Sequence, residues 1–514
     1  MLVLPGASRS VDGAPATCRH SYFRRAGPAV WAQGRPVGHC VGTVAVPKGR
    51  LMTPPPPSVE SQWASVILPT EPLLSWDAFA EAGGGQGLMT AREFGPEATI
   101  EEIAASGLRG RGGGGFPTGS KWESLRRAGG GTRFVVANGA EGEPATFKDR
   151  SLMRTDPFRV IEGAAIAALA IGAEGVFLAT KRSFATEVEI LRAALVEFSE
   201  TGLLDGISFT LVEGPDDYLF GEEKAMLEVI EGRDPLPRQL PPWQHGLFAT
   251  VPMGWESGTT PTRNAPESNP TLVNNVETLA AAAHILRHGA SWYRTMGTIE
   301  SPGTIVVTVV GDVVTPGVHE VEIGTPLSIV LERCGGPSPG RRFKAALSGI
   351  SNAVVTAAQF DTPLSYEAFV DIGSGLGAAG FVIYDDSRSM VSVARAMSGF
   401  LARESCGQCP SCTRGCADLT EQLVQIGRGE GSDAHLGRMN AALRTVTDSN
   451  RCYLGTEEQI VISSLLRQFP EDFVASIEGT APNAEEVPVP LIKELHDDGT
   501  VVYSGPRPAR TVRS

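Results

Sequence analysis

RFVVANGAEGEPATFKDRSLMRTDPFRVIEGAAIAALAIGAEGVFLATK (residues 133–181) reads in turn as strand, helix and strand. RFVVANG (133–139) is a short apolar run with β-branched and aromatic residues, the composition of a buried strand. RVIEGAAIAALAIGA (159–173) keeps apolar residues on a broad helical face. GVFLATK (175–181) is the second strand. The pattern continues through an amphipathic helix, ATEVEILRAALVEFSE (185–200), and a third strand, ISFTLVEG (207–214). Strands alternating with helices of this length predict a doubly wound α/β domain over 66–302.

The texture then changes. GTIVVTVVGDV (303–313) and GVHEVEI (317–323) pair through turn residues, and PLSIVLERCGG (326–336) adds a short helix, so 303–388 reads as a small β-grasp domain. Strand signals vanish from 389 to 480. Helical periodicity recurs at 391–403, 415–427, 434–447 and 457–468, which predicts a helical bundle. Residues 481–514 read as a C-terminal tail, with KELHDDGTVVY (493–503) a small hairpin. Residues 1–65 read as an extension and linker, with MTPPPPSVE (52–60) the linker proper. The preferred account of 1–51 is a start assigned too early, ahead of Met52; an Arg-rich organellar leader is the alternative.

Composition narrows the function classes. Hydrophobic residues are 42% of the 514 and charged residues 20%, which supports packed cores and argues against wholesale disorder. The net charge is −14; residues 1–51 hold seven Lys/Arg against Asp12 alone, so the remainder carries −20. A surface that acidic repels phosphate backbones and excludes nucleic acid as the expected partner. No apolar run reaches the ~18 residues of a membrane helix, so direct membrane insertion is not expected.

Two motifs carry chemistry. GLRGRGGGGFPTGSKW (107–122) places seven glycines between Gly107 and Gly119, which lets backbone N–H groups approach a phosphate or flat ring closely. Gly110, Gly112 and Gly115 match G-x-G-x-x-G, but the loop follows the helical EEIAASGL rather than a strand. Ser120-Lys121 reverses the order a Walker loop needs, so an ATPase is not expected. ESCGQCPSCTRGC holds Cys406, Cys409 and Cys412 at two-residue gaps, the spacing of iron–sulfur ligation. Cys416 is the fourth thiol of a compact reading. Ala417 stands where ferredoxins place proline, and no second cysteine set exists for a second cluster, which weakens that reading.

With NGAEGEPATFKDR (138–150), GEE (221–223), NNVET (274–278) and RCYLG (451–455) following in order, the chain resembles the flavoprotein NADH-binding subunit of respiratory complex I, the F-type family of NADH-quinone oxidoreductase. The same module occurs in NAD-linked hydrogenases and formate dehydrogenases. The resemblance covers about 100–480. It implies a Rossmann-like FMN/NADH domain, an SLBB-like β-grasp domain and a helical domain carrying a [4Fe–4S] cluster. By position it implies that Gly110, Gly112, Gly113, Gly114, Lys121, Asn138, Glu141, Glu222, Asn274 and Asn275 hold FMN, with Tyr218 a further cofactor-binding residue. Phe116 would flank the nicotinamide, and Trp243 the adenine. Glu143 and Glu223 would line the ribose and disfavour NADPH. It supplies Cys452, rather than Cys416, as the fourth cluster ligand. A plainer reading makes Asn274 only a helix N-cap.

The implied activity is an NADH dehydrogenase, with no side-chain acid or base required. The implied partners are a [2Fe–2S] thioredoxin-like protein, a ferredoxin or a larger redox complex. The implied place is cytoplasmic, peripheral on the inner membrane face through those partners. One departure stands out: the family's Asn-Ala-Asp-Glu is Asn138-Gly139-Ala140-Glu141 here, so an acidic group near the flavin is missing. That motivates an alternative, a redox-inactive scaffold or assembly homologue. A further alternative is the NAD-reducing component of a hydrogenase or formate dehydrogenase. Residues 249–270 read as an insertion, a lid or docking loop.

Overall fold

The computed structural model describes residues 65–251, 267–481 and 486–505. The N-terminal extension up to 64 and the heart of the 249–270 insertion, 252–266, lie outside the described residues. The first sheet has four parallel strands: β1 (Phe134–Gly139), β2 (Gly175–Lys181), β3 (Ser208–Gly214) and β4 (Thr271–Asn275). Their order is β3-β2-β1-β4.

Successive residues of a strand face opposite sides. Val135 and Ala137 enter a large core with Phe158, Ile161 and Leu279. Val136 enters a smaller one with Phe220, Met226 and Leu227. Both faces are therefore covered, which is why the strands read as continuous apolar runs. The chain leaves β1 toward β2 and β3, then returns to β1's other side as β4. The gap at the C-terminal ends of β1 and β4 is thus a topological switch point, where open α/β sheets bind ligands.

The second sheet is mixed, in the order β6-β5-β9-β7-β8. It comprises β5 (Thr304–Gly311), β6 (Gly317–Glu322), β7 (Phe343–Ser348), β8 (Val355–Thr356) and β9 (Gly380–Asp385). β5 and β9 are parallel and the other pairs antiparallel, with helix Leu327–Arg333 packed on one face in a β-grasp arrangement.

The bundle has helices Met390–Glu404, Pro410–Gly427, Asp433–Thr445, Leu454–Gln468 and Pro470–Ile477. The second starts five residues before the periodicity predicts, because Pro410 sits in its first turn, where a missing N–H costs nothing. Pro470 starts the short fifth helix, which periodicity does not announce, in the same way. The last residues form an antiparallel hairpin, β10 (Ile492–Leu495) and β11 (Val501–Tyr503). It is packed on the first domain rather than trailing as a tail, since Arg150 Nη1 donates to Ile492 O at 3.0 Å. Among the described residues no helix is long and apolar enough to cross a membrane.

Candidate functional site

β1 and β4 end side by side, with Asn138 in register with Asn275. Asn138 Nδ2 donates to Gly221 O (2.9 Å), and its Oδ1 accepts from Ala140 N (3.1 Å). Asn274 Oδ1 accepts the buried Trp122 indole N–H at 2.8 Å, so it is not the helix cap. The cap is Asn275, which accepts from Glu277 N at 3.0 Å and donates to Asp149 at 2.8 Å. Lys121 Nζ donates to Val273 O (2.8 Å) and pairs with Glu223 (3.3 Å). Ala140 is buried in the small core with Phe220 and Leu227.

The glycine loop is pinned rather than slack. Arg109 Nε donates to Gly115 O, Gly110 N to Phe116 O and Tyr366 OH to Gly110 O, at 2.8, 2.9 and 2.8 Å. Gly115 has φ +57°, and a Cβ there would come within 2.6 Å of the Tyr366 ring. A Cβ on Gly114 would meet nothing within 4 Å, while one on Gly112 would sit 3.2 Å from Asn275 Cβ. The loop therefore lies on the Asn275 side of the switch point with open space over Gly114. Such open backbone suits a ring or phosphate. Phe116 and Trp243 are about half exposed, at 51% and 47%, and offer free aromatic faces.

Beneath this crevice lies a buried charged hub that sequence reasoning missed. Lys148 pairs with Glu277 (2.8 Å) and Asp149 (2.7 Å). The Arg111 guanidinium lies 3.9 Å from Glu277 and donates to Tyr293 OH and Thr304 O, both at 2.9 Å. Glu277 also accepts from Val306 N at 3.0 Å. The hub ties the glycine loop, the 148–155 helix and β5 together. Burial pushes the Lys148 pKa down, but Asp149 and Glu277 more than reverse it, leaving it above its usual value. Burial lifts Asp149 to about 6. The available signal was charge inside FKDR and NNVET, next to residues that had to be buried.

The remaining carboxylates are engaged within the protein. Glu141 accepts from Asp149 N (2.8 Å) and from Arg150 Nε (2.9 Å). Glu143 accepts from Ile350 N (2.7 Å) and lies 3.0 Å from Tyr218 OH. That hydroxyl is also 3.0 Å from Glu457. The one Tyr218 hydroxyl hydrogen is thus shared between two carboxylates. Burial raises the pKa of both Glu143 and Glu457. Glu222 caps helix Glu223–Ile230 by accepting from Lys224 N and Ala225 N.

Burial lifts Glu222 to about 7 and Glu458 to about 8. A carboxyl whose folded pKa is raised binds its proton more tightly when native. Its contribution to stability is fully present below the unfolded pKa and is lost as pH rises through the folded one. The melting temperature of the cofactor-free protein is therefore expected to fall from the usual carboxyl pKa of 4.5 up to about pH 8 and to level off above it. Glu458→Gln, which keeps an acceptor for Ser398 Oγ, is expected to flatten that fall. An unchanged slope in scanning calorimetry would remove Glu458 as a cause.

Cys406, Cys409, Cys412 and Cys452 line one cavity, with Leu219, Ser405 and Arg451. Cys416 is not among its lining residues; it is fully buried in the bundle core. Among the described residues, no three His, Cys, Asp or Glu side chains form a set that suits a single metal ion. Four thiols lining one cavity are the donor set that iron–sulfur clusters take. Arg451 N donates to Cys409 Sγ (3.4 Å) and Gln408 Nε2 to Cys406 Sγ (3.6 Å), the kind of contact that tunes cluster thiolates. Crevice and cavity share a wall, the turn Tyr218–Gly221: Leu219 lines the cavity, and Gly221 O accepts from Asn138.

Three family descriptions match: "Nuo51 FMN-binding domain" over 103–284, "SLBB domain" over 306–348, and "NADH-ubiquinone oxidoreductase-F iron-sulfur binding region" over 392–476. The chain is 36% identical over 412 residues to one of the NADH-quinone oxidoreductase F subunits of Rhizobium meliloti, covering 77% of this chain and 93% of that protein. It is 34% identical to the NADH-quinone oxidoreductase F subunit of Streptomyces coelicolor, covering 79% and 89%. Among solved structures, it resembles an NAD+-reducing [NiFe]-hydrogenase in the H2-reduced state. That likeness has a TM-score of 0.68 and 29% identity, over 80% of this chain and 67% of that one.

Proposed function

The chain belongs to the F-subunit family of NADH-quinone oxidoreductase, and we propose that its crevice and cavity together form the electron-input end of a larger redox complex. It is an NADH dehydrogenase component; FMN held in the crevice would supply the two-electron to one-electron chemistry needed between NADH and a [4Fe–4S] cluster held in the cavity. The observation that carries this reading is the shared wall. One turn of chain, Tyr218–Gly221, separates a nucleotide-type crevice from a four-cysteine cavity.

Within that reading the residues divide their tasks. Gly110, Gly112, Gly113 and Gly114, with Lys121, Asn138, Asn274 and Asn275, receive the flavin. Phe116 and Trp243 stack on the nicotinamide and adenine rings. Glu223, whose side chain stays one-third exposed beside Lys121, meets the ribose and repels the extra phosphate of NADPH. Glu141, Glu143, Tyr218 and Glu222 shape the crevice floor and wall through the contacts above. Cys406, Cys409, Cys412 and Cys452 hold the cluster. Hydride transfer needs no side-chain acid or base, and none is assigned.

Cys409 lines both the cavity and an open groove with Lys224, Gln408 and Arg451, so the groove gives the cluster its short route outward. It suits a small iron–sulfur partner, a [2Fe–2S] thioredoxin-like protein or a ferredoxin. Such partners would also account for a cytoplasmic protein held peripherally at a membrane. The hydrogenase likeness favours one second reading, the same chemistry run toward NAD+ reduction.

Anaerobically purified protein is expected to hold FMN and about four irons per chain. Its flavin and cluster absorbance should bleach with NADH and hardly at all with NADPH. Protein that takes up neither flavin nor iron after reconstitution would overturn the proposal and favour the scaffold alternative.

A further inference from the structure

The loop from β1 to helix Lys148–Thr155 holds two non-glycine residues in left-handed backbone, Glu141 (φ +37°) and Ala145 (φ +68°). Such conformations persist only where surrounding contacts over-determine them, and they gather at functional sites. Several of the contacts that hold this loop come from the far end of the chain. Ala145 N donates to Pro490 O at 2.8 Å. The Arg150 guanidinium binds Glu141 through Nε (2.9 Å), and its Nη1 donates to Ile492 O (3.0 Å) and Lys493 O (3.2 Å). Phe147 and Phe184 cover that guanidinium, at 4.1 and 4.4 Å from their ring centroids. Arg154 Nη2 donates to Glu494 Oε2 at 3.0 Å, and Arg154 also pairs with Glu187.

The hairpin is anchored, not merely adjacent. Ile492 is buried in the same core as Ala145 and Phe147. Ser504 N donates to Leu491 O (2.7 Å) and closes the strand pair. The whole element lies beyond the matched family regions, the last of which ends at 476.

We propose that the C-terminal hairpin, Ile492–Tyr503, with the Pro490–Leu491 segment that leads into it, is a positioning clasp for the flavin crevice. Through the carbonyls of Pro490, Ile492 and Lys493 it holds Ala145 and Arg150, and through Arg150 it holds Glu141, so the 140–150 loop keeps its FMN-receptive shape. This rests on the FMN reading above. The hairpin touches no substrate; it acts through the loop.

The test uses the full chain and two variants. Ile492→Asp places a charge in the buried anchor and frees the hairpin; Glu494→Ala removes only the Arg154 pair. FMN affinity is read from flavin fluorescence quenching on cofactor-free protein, and loop order from hydrogen exchange at the amides of Ala145, Asp149 and Arg150. Iron content reports whether the change spreads into the bundle, whose buried core Ile492 also joins.

Ile492→Asp is expected to weaken FMN binding roughly tenfold and to speed exchange at those amides, with iron content unchanged. Glu494→Ala is expected to weaken FMN binding about threefold, as befits a part-exposed pair. If Ile492→Asp fails to fold, Glu494→Ala alone decides. Unchanged affinity and unchanged exchange in a folded variant overturn the clasp. A wild-type chain that binds no FMN overturns the functional reading instead, while exchange still reports whether the hairpin orders the loop.

Discussion

Cys452→Ser is expected to abolish the iron–sulfur signal, while Cys416→Ser leaves it in place. Cys452 reaches the cavity from the segment just before helix Leu454–Gln468, forty residues beyond Cys412, and closes the ring begun by Cys406, Cys409 and Cys412. Burial pushes its thiol up to about 12, so without iron it stays protonated. Cluster binding must displace that proton, and the binding energy becomes folding energy for the two segments it joins. Serine offers a harder, less acidic oxygen and loses that link.

Cys416 is one turn past Cys412, fully buried among bundle side chains. Serine there costs about 1–3 kcal/mol for burying a hydroxyl, without removing a ligand. Iron per chain and the low-temperature electron paramagnetic resonance of reduced protein separate the two outcomes. Loss of the signal in Cys416→Ser, with retention in Cys452→Ser, would restore the compact ferredoxin-type set.

Glu277→Leu is expected to destabilise the protein by about 3 kcal/mol or more, as removing one partner of a buried ion pair does. Glu277 is 1% exposed and faces Lys148 at 2.8 Å and Arg111 at 3.9 Å. Its loss leaves Lys148 with Asp149 as its carboxylate partner, beside Asn275 Oδ1 at 3.2 Å, and takes from Arg111 its carboxylate neighbour in the hub. It also orphans the N–H of Val306. Because Arg111 sits within the glycine loop, FMN affinity should fall as well.

The control is Arg192→Ala, which breaks the pair with Glu213 on the surface and should change stability by less than about 1 kcal/mol. Urea denaturation of both variants measures the contrast. Equal effects would mean that the hub is screened and contributes little.

Much of this was legible in the chain before folding is considered. The βαβ alternation around 133–181 carried the parallel sheet because strands covered on both faces need unbroken apolar runs, and β1 and β2 have them. The cysteine spacing announced a cluster because ligands two residues apart must turn inward together. The glycine loop announced close backbone approach.

Other features were not legible. Nothing local in NNVET distinguishes Asn274, bonded to an indole, from Asn275, the helix cap. Their roles depend on Trp122 and Glu277 arriving from other elements. Glu143 and Tyr218 look like solvent-facing polar residues in sequence. Only packing brings Glu457 and Ile350 to them.

By itself, then, the chain's sequence determined the layered α/β architecture, the helical bundle and the identity of the cysteine-rich loop, because periodicity and short-range spacing are local properties. The cysteine spacing left Cys416 and Cys452 as rivals that only the resemblance separated, and the tertiary structure places Cys452, not Cys416, on the cavity. It alone buried Lys148, Arg111 and Glu277 as one hub, and made a supposed tail the support of the 140–150 loop. Each of those depends on contacts between residues tens to hundreds apart, and such contacts exist only once the backbone has closed.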